Sequence, residues 1–164
     1  AAANLAGLLH LLGHALVKSA IFFGVGRAAQ AKGSQKISDI GGLVATHPAL
    51  GWGLAIAILA IAGMPPFVIF ASEFRLFSVA AAELPWLAIT LALGMVTALA
   101  ALITVLQALC FGAPTPDSGG ALNGWREVAS AVPVWLHLLV AVGLGIAMPL
   151  GLATMLATAA QVIG

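Results

Sequence analysis

The sequence predicts an all-α, polytopic bundle of transmembrane helices, on three observations. Hydrophobic residues fill 62% of the 164 positions and charged residues only 7%, against about 25% charged in soluble domains, and the mean hydropathy is +1.15. The apolar residues form runs of the roughly 20 residues that a helix needs to cross a bilayer. Most of the charge collects between these runs, so the few ionisable groups inside them are the first candidates for function: they are costly there and mark ion pathways. A net charge of +1 does not supply the basic cluster of a phosphate-binding face, which excludes a nucleic-acid surface. The lone Cys110 forms no intrachain disulfide or thiolate metal set by itself and reads as a small buried hydrophobe.

The first span is predicted over residues 4–29. From Leu5 to Val25 its strongly polar side chains are His10, His14 and Lys18, which recur every four residues and so fall on one helix face, in a row about 12 Å long. A charged head within that apolar run costs about 2.5 to 3.5 kcal/mol, more than a structural anchor needs to spend. His10 is the weaker candidate because it lies near the start of the chain. The chain opens without an initiator Met or a charged segment leading to a cleavage site, so it is expected to be the C-terminal part of a longer protein. Arg27, Lys32 and Lys36 against Asp39 place the following loop on the cytoplasmic side. A short interfacial helix is expected over 37–45, and His47, beside Pro48, reads as a turn residue.

The second span, 50–82, is expected to be broken at 63–66, where Gly63-Met64-Pro65-Pro66 removes amide donors and introduces ring clashes. Broken backbone at membrane depth is tolerated where protein buries it or where it lines a wet cavity. Glu73 follows the break with the apolar pattern continuing beyond it, and is the second ionisable site; Arg75 is either its pair partner or a local charge. The alternative is that both mark the water interface. After a turn at Glu83-Leu84-Pro85-Trp86, the third span covers 86–111, with Thr90, Thr97 and Thr104 in one stripe that serves helix packing or lines a hydroxyl row. Gly112 to Gly124 reads as an aqueous loop. The fourth span is expected over 131–148, with His137 as a packing or hydrogen-bonding histidine. Residues 150–163 are uncharged and too short to cross, hence interfacial or re-entrant.

No phosphate loop, cysteine ligand set or nucleophile elbow is present. His10 and His14 resemble half a metal site, but Lys18 repels a cation and no carboxylate is near in sequence, so no metal is expected.

The segments His14-Ala-Leu-Val-Lys18-Ser-Ala-Ile-Phe-Phe-Gly24, Asp39-Ile-Gly41-Gly42-Leu43, Gly63-Met-Pro65-Pro66-Phe67 and Ser72-Glu73-Phe74 occur in an order that resembles the proton-translocating antiporter-like subunits of respiratory complex I, Mrp-type cation/proton antiporters and group 4 hydrogenases. Their wording is most like the hydrogenase-4 component F branch, and Phe111-Gly112 fits it. The resemblance implies a C-terminal third of a multi-span subunit in the cell's inner (plasma) membrane. In it Lys18 is the central proton-carrying lysine, His14 its relay neighbour, Glu73 the terminal acidic site and Pro65-Pro66 the break of the family's broken helix. The upstream half of the pathway, with its own glutamate and lysine, lies before this chain. Implied partners are other membrane subunits, a peripheral redox arm that carries the electron transfer, the lipid bilayer and protons. No cofactor is expected in the subunit itself, which lacks cluster cysteines and a nucleotide loop. The alternatives are a cation/proton antiporter subunit without a redox partner, and a scaffold whose polar residues only pack helices.

The predicted orientation has a direct check. With Cys110 replaced, a cysteine at Ser34 is expected to react with a membrane-impermeant reagent only from the cytoplasmic side, and one at Gly164 only from outside. Reaction of both from one side would overturn the topology.

Overall fold

A computed structural model describes residues 2–117 and 124–163, and the described residues outside loops and turns are helical. The first helix, α1 (Ala2–Lys32), has 31 residues and a length of about 46 Å. It ends at Gly33, whose φ of 67° is the left-handed conformation that closes many helices. It thus runs past the expected 4–29 at both ends, and Arg27 and Lys32 lie in the helix rather than in the loop. The short helix expected over 37–45 is two separate turns, a 3-10 turn at Ile37–Asp39 and α2 (Leu43–Thr46).

Next come α3 (Pro48–Ile61), with Pro48 in its first turn where a missing N–H costs nothing, and α4 (Val68–Glu83). The break between them spans 62–67, slightly wider than the expected 63–66; Gly63 adopts φ 75° and the Pro65-Pro66 peptide is cis. Then follow α5 (Pro85–Leu106), which continues as a π turn over Gln107–Phe111, α6 (Trp125–Ile146) and α7 (Leu150–Ile163). The fourth helix of the expected bundle therefore begins six residues ahead of the expected 131, at Trp125, because its first turn is tied to α3: Glu127 Oε1 accepts the Ala49 N–H at 2.9 Å. Among the described residues three helices are long and apolar enough to cross a membrane: α1, α5 with its π turn, and α6.

α3 and α4, with 14 and 16 residues, reach that length only end to end, and their contacts show this arrangement. Gly24 of α1 lies against Leu54, Gly13 against Val68, and His10 against Ser72. The broken pair therefore runs antiparallel to α1. Lys32 Nζ lies 3.4 Å from Thr46 Oγ1 at the other end of the row. The α1 segment from His10 to Lys32 is about 33 Å long, close to the roughly 30 Å of a hydrocarbon core. α6 accompanies the broken pair in parallel: Trp135 Nε1 donates to Ala49 O at 3.0 Å, Gly53 faces Val134, and Gly145 lies directly on the Pro66 carbonyl. α5 returns along the other side, so that the Phe111 ring meets Trp52 at 5.7 Å. α7 lies on α1, with Asn4 Nδ2 donating to Ala160 O.

The core of this bundle consists of Leu9, Val17, Leu50, Leu54, Val68 and Val134 with small residues between them. Outward, Ile89, Leu93 and Val96 of α5 are each about two-thirds exposed, an apolar face that the described helices leave open.

A polar cluster closes one end. Lys32 is 2% and His47 1% exposed; Lys32 Nζ meets Asp117 Oδ1 at 2.8 Å and donates to Thr115 O at 2.6 Å, and His47 Nε2 lies 3.4 Å from Asp117 Oδ2. His47 is thus a turn residue by position but a buried one. Gly41 N–H donates to Thr115 Oγ1 at 3.2 Å. Any Cβ at Gly41 or Gly42 would run into Ala113 or Pro114, which explains that glycine pair. Residues 113–117 are therefore packed onto the α2 region, whereas 118–123 of the expected aqueous loop lie outside the described residues. Nearby, the Asp39 carboxyl is held below the usual carboxylate range by hydrogen bonds from Ser34, chiefly, and Ser38.

Two outcomes test this packing. Gly145→Ala is expected to destabilise the bundle by about 1–3 kcal/mol through overpacking, read as a lower thermal midpoint in detergent, whereas Gly143→Ala, with nothing within 4 Å of the new Cβ, is expected to leave it unchanged. Lys32→Met leaves the Asp117 carboxylate without its ammonium partner. Because Asp117 is about one-third exposed, the loss is expected to fall below the roughly 3–5 kcal/mol of a fully buried pair. Faster proteolysis at 112–117 than in Lys36→Met would report it; equal rates would argue against a latch.

Candidate functional site

The site assembles on the two faces of α4. Facing α1, Ser72 is fully buried; its hydroxyl donates to Ile69 O at 2.7 Å, and its oxygen lies 3.1 Å from His10 Nδ1. The His10 and His14 rings are 5.6 Å apart, centroid to centroid. His10, the weaker candidate by sequence, is thus the member of the basic row that reaches across to the helix carrying Glu73.

The row does not stay on one face. Four residues overshoot the 3.6-residue turn, so each step rotates about 40° around the helix. His10 and His14 are half-buried while Lys18 is exposed, on a face of α1 with Leu11 and Phe22 that the described elements leave open. The described helices pack on the other faces of α1. Neither His14 nor Lys18 makes a hydrogen bond to a described residue.

Glu73 lies one residue beyond Ser72, about 100° around α4, and therefore turns away from α1 toward the break and α5. Its carboxylate sits on Gly63, where a Cβ would displace Oε2, and the positive φ of 75° at that position favours glycine. Oε2 is buried and has no hydrogen-bond partner among the described residues. A recess of about 310 Å³, lined by Ile61, Ala62, Glu73, Thr90, Gly94 and Met95, opens beside it. Arg75 is exposed and forms no ion pair with Glu73.

Among the described residues the threonine stripe of α5 makes no hydrogen bond to another helix. Thr90, Thr97 and Thr104 donate to Trp86 O, Leu93 O and Ala101 O of their own helix, and of the three only Thr90 borders the recess. His137 Nδ1 lies 2.7 Å from Pro133 O and its ring packs 5.5 Å from that of Phe23, as a packing and hydrogen-bonding histidine does. Among the described residues no group of three His, Cys, Asp or Glu stands close enough to hold a metal. The residues that sequence reasoning passed over are Ser72, quoted only as part of a motif, and the Lys32, His47 and Asp117 cluster. The only sequence signal for that cluster was the Gly41-Gly42 pair, which points to close backbone approach without saying to what.

Comparison with known proteins places the chain by sequence and by fold. The transmembrane family described as NADH:quinone oxidoreductase/Mrp antiporter matches residues 2–104. A hydrogenase-4 component F homolog from Methylacidiphilum infernorum is 46% identical over 149 residues, 91% of this chain and 30% of that protein. One subunit of a Na(+)/H(+) antiporter from Alkalihalophilus pseudofirmus is 33% identical over 96 residues, 57% of this chain and 20% of that one. In the structure of the Mrp complex from Dietzia sp. DQ12-45-1b, one chain matches 93% of this chain over 36% of its own length, with a TM-score of 0.72 and 20% identity, a likeness of fold. The chain thus spans a third or less of the length of the two sequence relatives. With the family match covering more than half of its residues, the chain belongs to the NADH:quinone oxidoreductase/Mrp antiporter family of integral membrane proteins.

Proposed function

We propose that this chain carries the terminal part of a proton route in a membrane subunit of an energy-converting redox complex, of the hydrogenase-4 or NADH-quinone oxidoreductase kind. The observation that carries the reading is the His10 to Ser72 contact, which sets the basic row of α1 against the helix whose next residue is Glu73. On this reading protons reside on Lys18, His14 and His10 and leave by way of Glu73. A buried carboxylate oxygen without a donor is satisfied by a proton or by water. The recess beside it, at about 310 Å³, is lined mostly by apolar side chains, with Glu73 and Thr90 its polar ones. The break supplies the polar backbone that such a path needs.

Lys18 on its open face costs about 2.5 to 3.5 kcal/mol against lipid, so the reading assigns that face to protein. The partners are other membrane subunits and a peripheral redox arm that moves the electrons, in the inner (plasma) membrane. Identity of 46% along most of the chain to a hydrogenase-4 component F homolog supports this over the second reading, a cation/proton antiporter subunit without a redox partner. The likeness to a Na(+)/H(+) antiporter favours the latter over a shorter stretch.

In the full-length protein within its complex, Lys18→Ala is expected to lower coupled proton uptake into vesicles by about a hundredfold or more, the scale of a lost proton-transfer group. Lys18→Arg, whose charge is not released at accessible pH, is expected to be nearly as damaging. Glu73→Gln should block uptake and Glu73→Asp retain part of it. Full uptake by Lys18→Arg or Glu73→Gln, with complex abundance controlled, would refute the assignment. Uptake driven by a sodium gradient and not by electron transfer would favour the antiporter.

A further inference from the structure

His10 and Ser72 fix more than a helix contact. A neutral imidazole carries one N–H, on either Nδ1 or Nε2, and the choice is set by what each nitrogen faces. Ser72 has a single hydroxyl hydrogen, and this is committed to Ile69 O at 2.7 Å. Its oxygen, fully buried, is thereby left as an acceptor, and the neighbour 3.1 Å away is His10 Nδ1. His10 Nδ1 is then the donor. Nε2 has no partner among the described residues, and the nearest ring is that of His14 at 5.6 Å.

We propose that Ser72 is a positioning residue that holds neutral His10 as its Nδ1–H tautomer and so reserves Nε2 as the nitrogen that gains and loses the transported proton. This rests on the proton-route reading above. The proton balance is simple. Uptake at Nε2 converts the ring to an imidazolium with Nδ1–H still donated to Ser72, and release from Nε2 restores the starting state. No proton passes through Ser72, because its hydrogen is given to a peptide carbonyl, which does not accept a proton at accessible pH. The route from the α1 row to Glu73 therefore leaves His10 at Nε2 and goes around Ser72, and the α1 to α4 strap stays closed in both protonation states.

Full-length protein with ¹⁵N-labelled histidine in lipid nanodiscs provides the test, the His10 signals being assigned by their loss in His10→Gln. At a pH where His10 is neutral, the expected wild-type spectrum shows a protonated Nδ1 and a bare Nε2. Ser72→Ala removes the acceptor and is expected to reduce the Nδ1–H preference by about five- to tenfold, the worth of one hydrogen bond. Ser72→Thr, which keeps the hydroxyl, should restore it. Signals of His137 are expected to stay in place in all variants, a condition that general unfolding would not meet. Coupled proton uptake should fall in Ser72→Ala and recover in Ser72→Thr. A wild-type spectrum with Nε2–H, or a His10 tautomer unmoved by Ser72→Ala, overturns the proposal, as does normal uptake in a Ser72→Ala protein whose tautomer has shifted. Wild-type protein that takes up no protons would sink the functional reading, while the spectra would still decide the role of Ser72.

Discussion

The fold depends on one constraint: the backbone at 62–67 is not helical, yet it lies midway along a segment that runs the thickness of a bilayer. Each unpaired peptide group costs several kcal/mol in hydrocarbon, so the break needs protein or water around it, and the described helices cover it in part: Phe67 is buried while Met64, Pro65 and Pro66 are exposed. α1 lies along both halves of the broken pair, with Gly24 on Leu54 and Gly13 on Val68. α6 closes over the Pro66 carbonyl at Gly145, and α5 comes back past Ala62 and Glu73. The small residues at these crossings bring helix backbones close together, which is how membrane helices associate when no hydrophobic force favours one apolar neighbour over another.

The same enclosure divides the chemistry. α4 begins just after the break and presents consecutive residues in different directions, Ser72 to α1 and Glu73 to α5. The basic row and the carboxylate are consequently separated by the thickness of a helix. Gly63 ties the two parts together, since the carboxylate rests on the one position of the break where a side chain would displace it.

Much of this was legible in the sequence because it is local. Apolar runs gave the spans, two prolines gave the break, and lysine or glutamate inside an apolar run marked the candidate groups. What was not legible arises between helices. The 40° drift of an i, i+4 row decides that His10 is clasped while Lys18 faces outward, and periodicity alone does not say which face a neighbour will cover. Thr90, Thr97 and Thr104 looked like one stripe, but their hydroxyls satisfy their own helix. Lys32 and His47 read as loop residues because their partner Asp117 is far along the chain, and a buried ion pair leaves no local pattern. The start of α6 at Trp125, ahead of the expected 131, escaped for a similar reason: what extends the helix is its contact with the start of α3.

The broken helix also acts as a phase setter. Between Gly13 and Gly24, eleven positions of α1 lie against the fourteen from Leu54 to Val68, so the break absorbs about three residues and hands α4 on at a fixed rotation. Adding or removing one residue there would turn every later side chain by about 100°, carrying Ser72 off His10 and Glu73 off Gly63 together. Substitutions within the break can drift as long as the turn survives, whereas its length is locked to the register of two sites at once. In evolutionary terms, insertions and deletions should be purged from this short segment more strictly than changes of residue type.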